Sequence, residues 1–144
     1  MELDGVLVIS EPGARQKTRG EFGPFITENA TVFRQHFGVV LFPGSLNVYV
    51  AQPPGLQKDL DTGKLPPAFV VPRGELSGNP NYVGDGQAWR CTLHSDKIPS
   101  PVNCWIFRRI NSRVSSGVIE LVAAVSLVKT YHLRDGDPVV IRLV

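Results

Sequence analysis

Short runs rich in Val, Ile and Leu, set between prolines and glycines, dominate this chain. Twelve prolines and fourteen glycines are spread over 144 residues. Each breaks regular structure, proline by fixing φ and removing a donor, glycine by freeing the backbone. Runs of four to eight β-branched residues between such breakers read as strands joined by irregular loops. The first is Gly5 to Ser10, nearly continuous in apolar residues, which predicts a strand buried on both faces. Ala68 to Val71, Ala88 to His94, Asn103 to Phe107, Val118 to Ala123 and Pro138 to Val144 follow. Trp89, Cys91 and Leu93 fall on one face of their strand, and Ile119 and Leu121 on one face of theirs. Two stretches carry helical spacing. Thr27 is placed to cap a helix over Glu28 to Phe37 that Gly38 stops, and a short helix fits within Ala124 to His132. About seven strands with a pair of short helices favour a small barrel over a sandwich or a βα-alternating sheet.

The residues that could carry chemistry sit around Phe42-Pro43-Gly44-Ser45-Leu46-Asn47-Val48-Tyr49-Val50. Pro43 and Gly44 make a turn. Leu46, Val48 and Val50 then alternate against Ser45, Asn47 and Tyr49. A hydroxyl and an amide oxygen two residues apart on one face are hard donors that suit magnesium and not zinc. Neither is charged, so phosphates from a ligand would have to complete such a site. The plain alternative is a pair of solvent-facing strand residues. Glu120 sits between Ile119 and Leu121, where a carboxylate is costly to bury unless paired. It is either an ion pair with an arginine or a carboxylate that handles a substrate hydroxyl. Arg15, Lys17 and Arg19 fall in one expected loop and Arg108, Arg109 and Arg113 in another. Such loops can hold phosphate if the fold joins them. His36 reads as a helix-surface residue without chemistry.

Other classes are disfavoured. A formal net charge of +2 gives no basic stripe for nucleic acid. No apolar run is long enough for a membrane-spanning helix. The acidic start Met1-Glu2-Leu3-Asp4 carries no secretory pattern, which reads as cytoplasmic. Cys91 and Cys104 then read as reduced core thiols. The Glu11 to Pro24 loop has neither a phosphate-loop motif nor the dinucleotide fingerprint. The chain reads as one domain over residues 1–144.

Two blocks of residues resemble the CTP-dependent riboflavin kinases of archaeal type. The first runs from the helix through Phe33, Gly38 and Gly44-Ser45-Leu46-Asn47, where the family has Gly-Thr-Leu-Asn. The second runs from Ser112 to the C-terminus and holds Ser115-Ser116, Glu120, Leu127, Leu133 and Asp135-Gly136-Asp137. Residues 52–101 match little and read as a variable insertion.

The resemblance implies a six-stranded cradle-loop barrel that moves a phosphoryl group from CTP to the ribityl hydroxyl of riboflavin. It implies Mg2+ on Ser45 and Asn47, and flavin contacts at Ser112 and Glu120, with Glu120 catalytic. It implies nucleotide contacts at Val125-Ser126-Leu127-Val128, largely through backbone. The family's first loop is glycine-rich. Here only Gly20 and Gly23 remain of it, with Arg15, Lys17 and Arg19 added as candidate phosphate donors and Phe22 as bulk. That departure keeps a second reading open, a non-catalytic ligand-binding protein on the same barrel. A third is the related swapped-hairpin transcription regulators, whose closing turn is similar to Asp135-Gly136-Asp137-Pro138; the weak charge disfavours it.

Overall fold

The computed structural model describes residues 1–9, 23–77, 84–109 and 117–144. Arg15, Lys17, Arg19, Gly20, Ser112 and Arg113 lie outside the described residues. Among those described, seven strands occur: β1 (Glu2–Leu7), β2 (Leu46–Gln52), β3 (Phe69–Val71), β4 (Gly86–His94), β5 (Val102–Arg109), β6 (Val118–Val122) and β7 (Pro138–Leu143). Three helices are α1 (Ala30–Phe37), α2 (Leu56–Asp61) and α3 (Leu127–Tyr131). Residues 23–28 add a helical segment ahead of α1.

Every pairing is antiparallel, in the order β3-β4-β5-β6-β2-β1-β7, and β7 also pairs with β4. That last seam closes six strands into a barrel, and β3 remains outside as a short extra strand on β4. Closure removes the exposed edges an open sheet would leave. The interior is filled by alternate residues of each strand: Leu3 and Leu7, then Leu46, Val48 and Val50, then Trp89, Cys91 and Leu93, then Ile119 and Leu121. Leu56 and Leu60 of α2 and Leu127 of α3 join the same cluster. A second cluster lies on the outer face, where Phe33 and Phe37 of α1 pack on Ala88, Phe107 and Val122.

Several expectations change. The first strand starts earlier, at Glu2, and alternates between exposed and buried residues, because only one of its faces meets the core. It approaches β2 closely at Gly5, where a Cβ would come within 2.5 Å of the Tyr49 carbonyl oxygen. Thr27 does not cap α1; its hydroxyl donates to the Gly23 carbonyl in the preceding turn. Asn29 holds the N-cap position instead, and Gly38 ends the helix in the left-handed region at φ 78°. The Pro-rich stretch after β2 contains α2, whose Leu56 and Leu60 stand one turn apart and bury together. Cys91 and Cys104 are direct cross-strand partners, buried, with sulfurs 3.5 Å apart as free thiols. The hydrogen bond to Cys104 and burial both push the Cys91 thiol up, which keeps it inert.

Candidate functional site

The turn ahead of β2 is fixed by two backbone bonds. Phe42 N–H donates to the Ala123 carbonyl at 2.8 Å, and Gly44 N–H to the Phe42 carbonyl at 2.8 Å. The turn is thereby tied to the residue just past β6. Ser45 follows it, and Leu46 turns inward to the core. Asn47 must then face outward, by the two-residue period of a strand. On β6 the inward residues are Ile119 and Leu121, so Glu120 also faces outward. Asn47 and Glu120 are direct register partners across the β2–β6 seam.

Outward does not mean exposed here. Asn47 retains 2% and Glu120 4% of their accessible surface. The reading of Ser45 and Asn47 as solvent-facing residues is therefore corrected: Asn47 is buried and Ser45 half-buried, and on that face the exposed residues are Tyr49 and Ala51. Of the arginines among the described residues, Arg108 and Arg109 have other partners as well, and the charge of Arg108 still acts on Glu120. The Arg108 guanidinium is taken by Asp61, from Nε at 2.6 Å and from a terminal nitrogen at 3.0 Å. Arg109 donates through Nε to the Gly84 carbonyl at 2.8 Å and lies over the Phe25 ring.

Three buried oxygens in this region have no hydrogen-bond partner among the described residues: Ser45 Oγ, Asn47 Oδ1 and Glu120 Oε1. Buried polar atoms in folded proteins are nearly always satisfied, so three together point to a group that completes them. Burial pushes the Glu120 carboxyl up to about 8, against the charge of Arg108, which lowers it. Two neutral, hard, unpartnered oxygens on one strand face fit a magnesium ion that takes its other ligands from phosphate. Among the described residues no three His, Cys, Asp or Glu side chains are gathered into a metal-binding group.

A cleft of about 90 Å³ opens beside this seam. Ser45 and Gly44 form one wall, and Val125, Ser126, Leu127 and Val128 another. Ser126 accepts the Lys129 N–H at 3.2 Å on its side-chain oxygen and so caps the start of α3 at the cleft. Gly23 lies on the other side of the turn, where an added Cβ would stand 3.0 Å from the Pro43 carbonyl. The fold thus gathers Gly23, Ser45 and residues 125–128 around one turn, with Asn47 and Glu120 on the adjoining strands.

Sequence reading overlooked Asp61 and α2. The signal was present as Leu56 and Leu60 at helical spacing after Pro54-Gly55. His36, read as a plain surface residue, is half-buried, meets Glu75 at 3.0 Å and stacks on Phe69.

A family model described as CTP-dependent riboflavin kinase, a domain of unknown function (DUF120), matches residues 20–143. No curated protein matches the chain. Among the described residues no helix is long and apolar enough to cross a membrane.

Proposed function

The chain belongs to the CTP-dependent riboflavin kinase family, and on that premise we propose that it transfers the γ-phosphoryl group of a nucleoside triphosphate, CTP, to the ribityl hydroxyl of riboflavin. The observation that carries this reading is the seam itself. Asn47 and Glu120 face each other across two strands, each with a buried oxygen that nothing satisfies, and Ser45 Oγ beside them is in the same condition.

In this reading Ser45 and Asn47 hold Mg2+, which supplies charge neutralisation on the phosphates when bound. Residues 125–128 take the nucleotide against their backbone, and Gly23 ends the loop on its far side. Arg15, Lys17, Arg19 and Gly20 would supply the remaining phosphate contacts, and Ser112 a contact to the flavin. The acceptor hydroxyl oxygen forms the new bond to phosphorus as the bond to the β-phosphate oxygen breaks, and the nucleoside diphosphate leaves. The hydroxyl proton passes to Glu120. A carboxylate with an elevated proton affinity suits that task, because a general base works best when its pKa lies near the working pH. Little covalent chemistry is asked of the protein beyond this; positioning and electrostatics suffice for phosphoryl transfer.

The experiment is incubation of the full chain with riboflavin, Mg2+ and each of CTP, ATP, GTP and UTP in turn, with products separated by chromatography. Flavin mononucleotide from CTP is expected. Quenched riboflavin fluorescence without product from any nucleotide would replace the kinase by a binding protein on the same barrel.

A further inference from the structure

The β2–β6 seam has a cleft at each end. At one end Ser45, Leu46 and Leu121 line the cleft that faces residues 125–128. At the other, Tyr49 and Ala51 of β2 and Gly117, just ahead of β6, line a second cleft of about 570 Å³, whose far wall is α2. A volume of that size is ordinary for a small-molecule site. Asn47 and Glu120, with their unpaired oxygens, lie on the same two strands between the clefts.

The second cleft suits a flat, uncharged group. Tyr49 is 46% exposed, although Asn47 and Val48 just before it are buried. Its ring lies over the bare backbone of Gly117, where an added Cβ would stand 2.8 Å from it. Gly117 has φ +82°, so conformation and space both exclude a side chain there. The polar groups of the α2 wall are already engaged. Gln57 Nε2 donates to the Val118 carbonyl at 2.8 Å, and its Oε1 accepts the Gly117 N–H at 3.0 Å. Asp61 accepts both prongs of Arg108. Of the lining residues only Lys58 is a cation, and it is exposed, so no arginine fork or buried cation is set to clasp a phosphate. An aromatic face among satisfied polar groups favours a planar conjugated ring.

The spacing along the strand fits one acceptor. On the outward face of β2, Tyr49 stands two residues and Ala51 four residues from Asn47, about 7 and 13 Å along the strand. An extended five-carbon polyhydroxyl chain spans about 7 Å at ordinary bond lengths. A ring seated beside Tyr49 would therefore bring the end of its chain to Glu120, the register partner of Asn47. We propose that the second cleft holds the flavin ring of the acceptor, with Tyr49 as its stacking wall, and that the ribityl chain runs from there along the seam to Glu120. This rests on the kinase reading. The two substrates then reach the unpaired oxygens from opposite ends of one seam, and Tyr49 sets which ring is accepted.

The test uses the full chain with Tyr49→Ala, Tyr49→Trp and Ala51→Trp. Binding of riboflavin, and of lumichrome (the flavin ring without its ribityl chain), is read from ligand fluorescence. Steady-state kinetics are read separately against riboflavin and CTP. Tyr49→Ala should weaken both flavin ligands about ten- to hundredfold, as loss of one stacking ring does, with the CTP KM within about twofold. Tyr49→Trp should restore binding. Ala51→Trp fills the cleft with Tyr49 still in place and should weaken both flavin ligands as well. Unchanged flavin binding in Tyr49→Ala and Ala51→Trp, with turnover intact, would overturn the proposal and leave the kinase reading standing. Equal rises in the riboflavin and CTP KM values would also overturn it. Tyr49-dependent binding without turnover from any nucleotide would end the kinase reading alone and keep the ring site. Wild-type protein that binds neither flavin ligand would end both.

Discussion

Two buried asparagines lie on this barrel's outer side and are treated in opposite ways. Asn29, next to α1, is fully engaged. Its amide donates to the carbonyls of Phe25 and Ser77 at 2.9 Å each, and its oxygen accepts the Ser77 N–H at 2.8 Å. Around it Phe33 meets Phe25, Phe37 and Phe107 edge-on with centroids 5.4–5.8 Å apart. Asn47, on the β2–β6 seam, is equally buried but has an oxygen without a partner. The first region spends its polar groups on stability. The second leaves an oxygen unpaired, an arrangement that costs stability and that the proposed ligand would complete.

That contrast can be broken at the aromatic side first. Phe33→Ala should cost about 3–5 kcal/mol of folding stability, because it empties the centre of the outer cluster. Denaturant titration would show it as a fall in midpoint, and a loss below about 1 kcal/mol would mean α1 is not packed as described.

The asparagines sharpen the contrast next. Asn47→Ala should lower kcat/KM about a hundredfold or more if Asn47 holds the metal as proposed, while the melting temperature holds or rises. Asn29→Ala should do the reverse, losing roughly 2 kcal/mol of stability as the Ser77 N–H and two carbonyls lose their partners. Its kcat/KM, measured where the protein is fully folded, should stay within about twofold. Matching effects at the two positions would erase the distinction between the regions.

Glu120 adds a pH dependence. Its proton is lost near the ordinary 4.5 in the unfolded chain and near 8 in the folded one. Between those values the folded state binds the extra proton, so stability falls as pH rises through that window. Glu120→Gln removes the dependence. Relative to wild type it should gain several kcal/mol, at most about 5, above about pH 8 and nothing below about pH 4.5, in ligand-free protein. Parallel stability profiles for the two proteins from acid to alkaline pH would show that Glu120 is not held protonated by burial.

Much of the barrel could be read from the chain because a strand with one buried face writes a two-residue period into its residues. Leu46, Val48 and Val50 did so, as did Ile119 and Leu121 and Trp89, Cys91 and Leu93. Glu120 stood out for the same reason, as a break in an apolar strand. What the chain could not convey is what covers the outward residues. Whether Asn47 meets water or protein depends on its cross-strand partner and on distant segments, and a local pattern holds no record of either. The starting point of β1 was missed because Glu2 and Asp4 look like a polar terminus until β7 is seen beside them. The short α2 was missed because six residues give only one pair of apolar positions, too few to outweigh the prolines around them.

The seam between β1 and β7 has a kinetic consequence. Glu2 pairs with Arg142, and Cys91 with Leu143, so β7 is enclosed between two strands made much earlier. A ribosome can release β1, β2, β4, β5 and β6 and still leave the cylinder open along two rows of unpaired backbone groups, on β1 and β4. Only when residues 138–143 emerge from the exit tunnel are both rows filled. Closure therefore waits on β7 and is driven by contacts of long sequence separation. Until then, the nascent chain presents strand edges that a neighbouring chain could occupy.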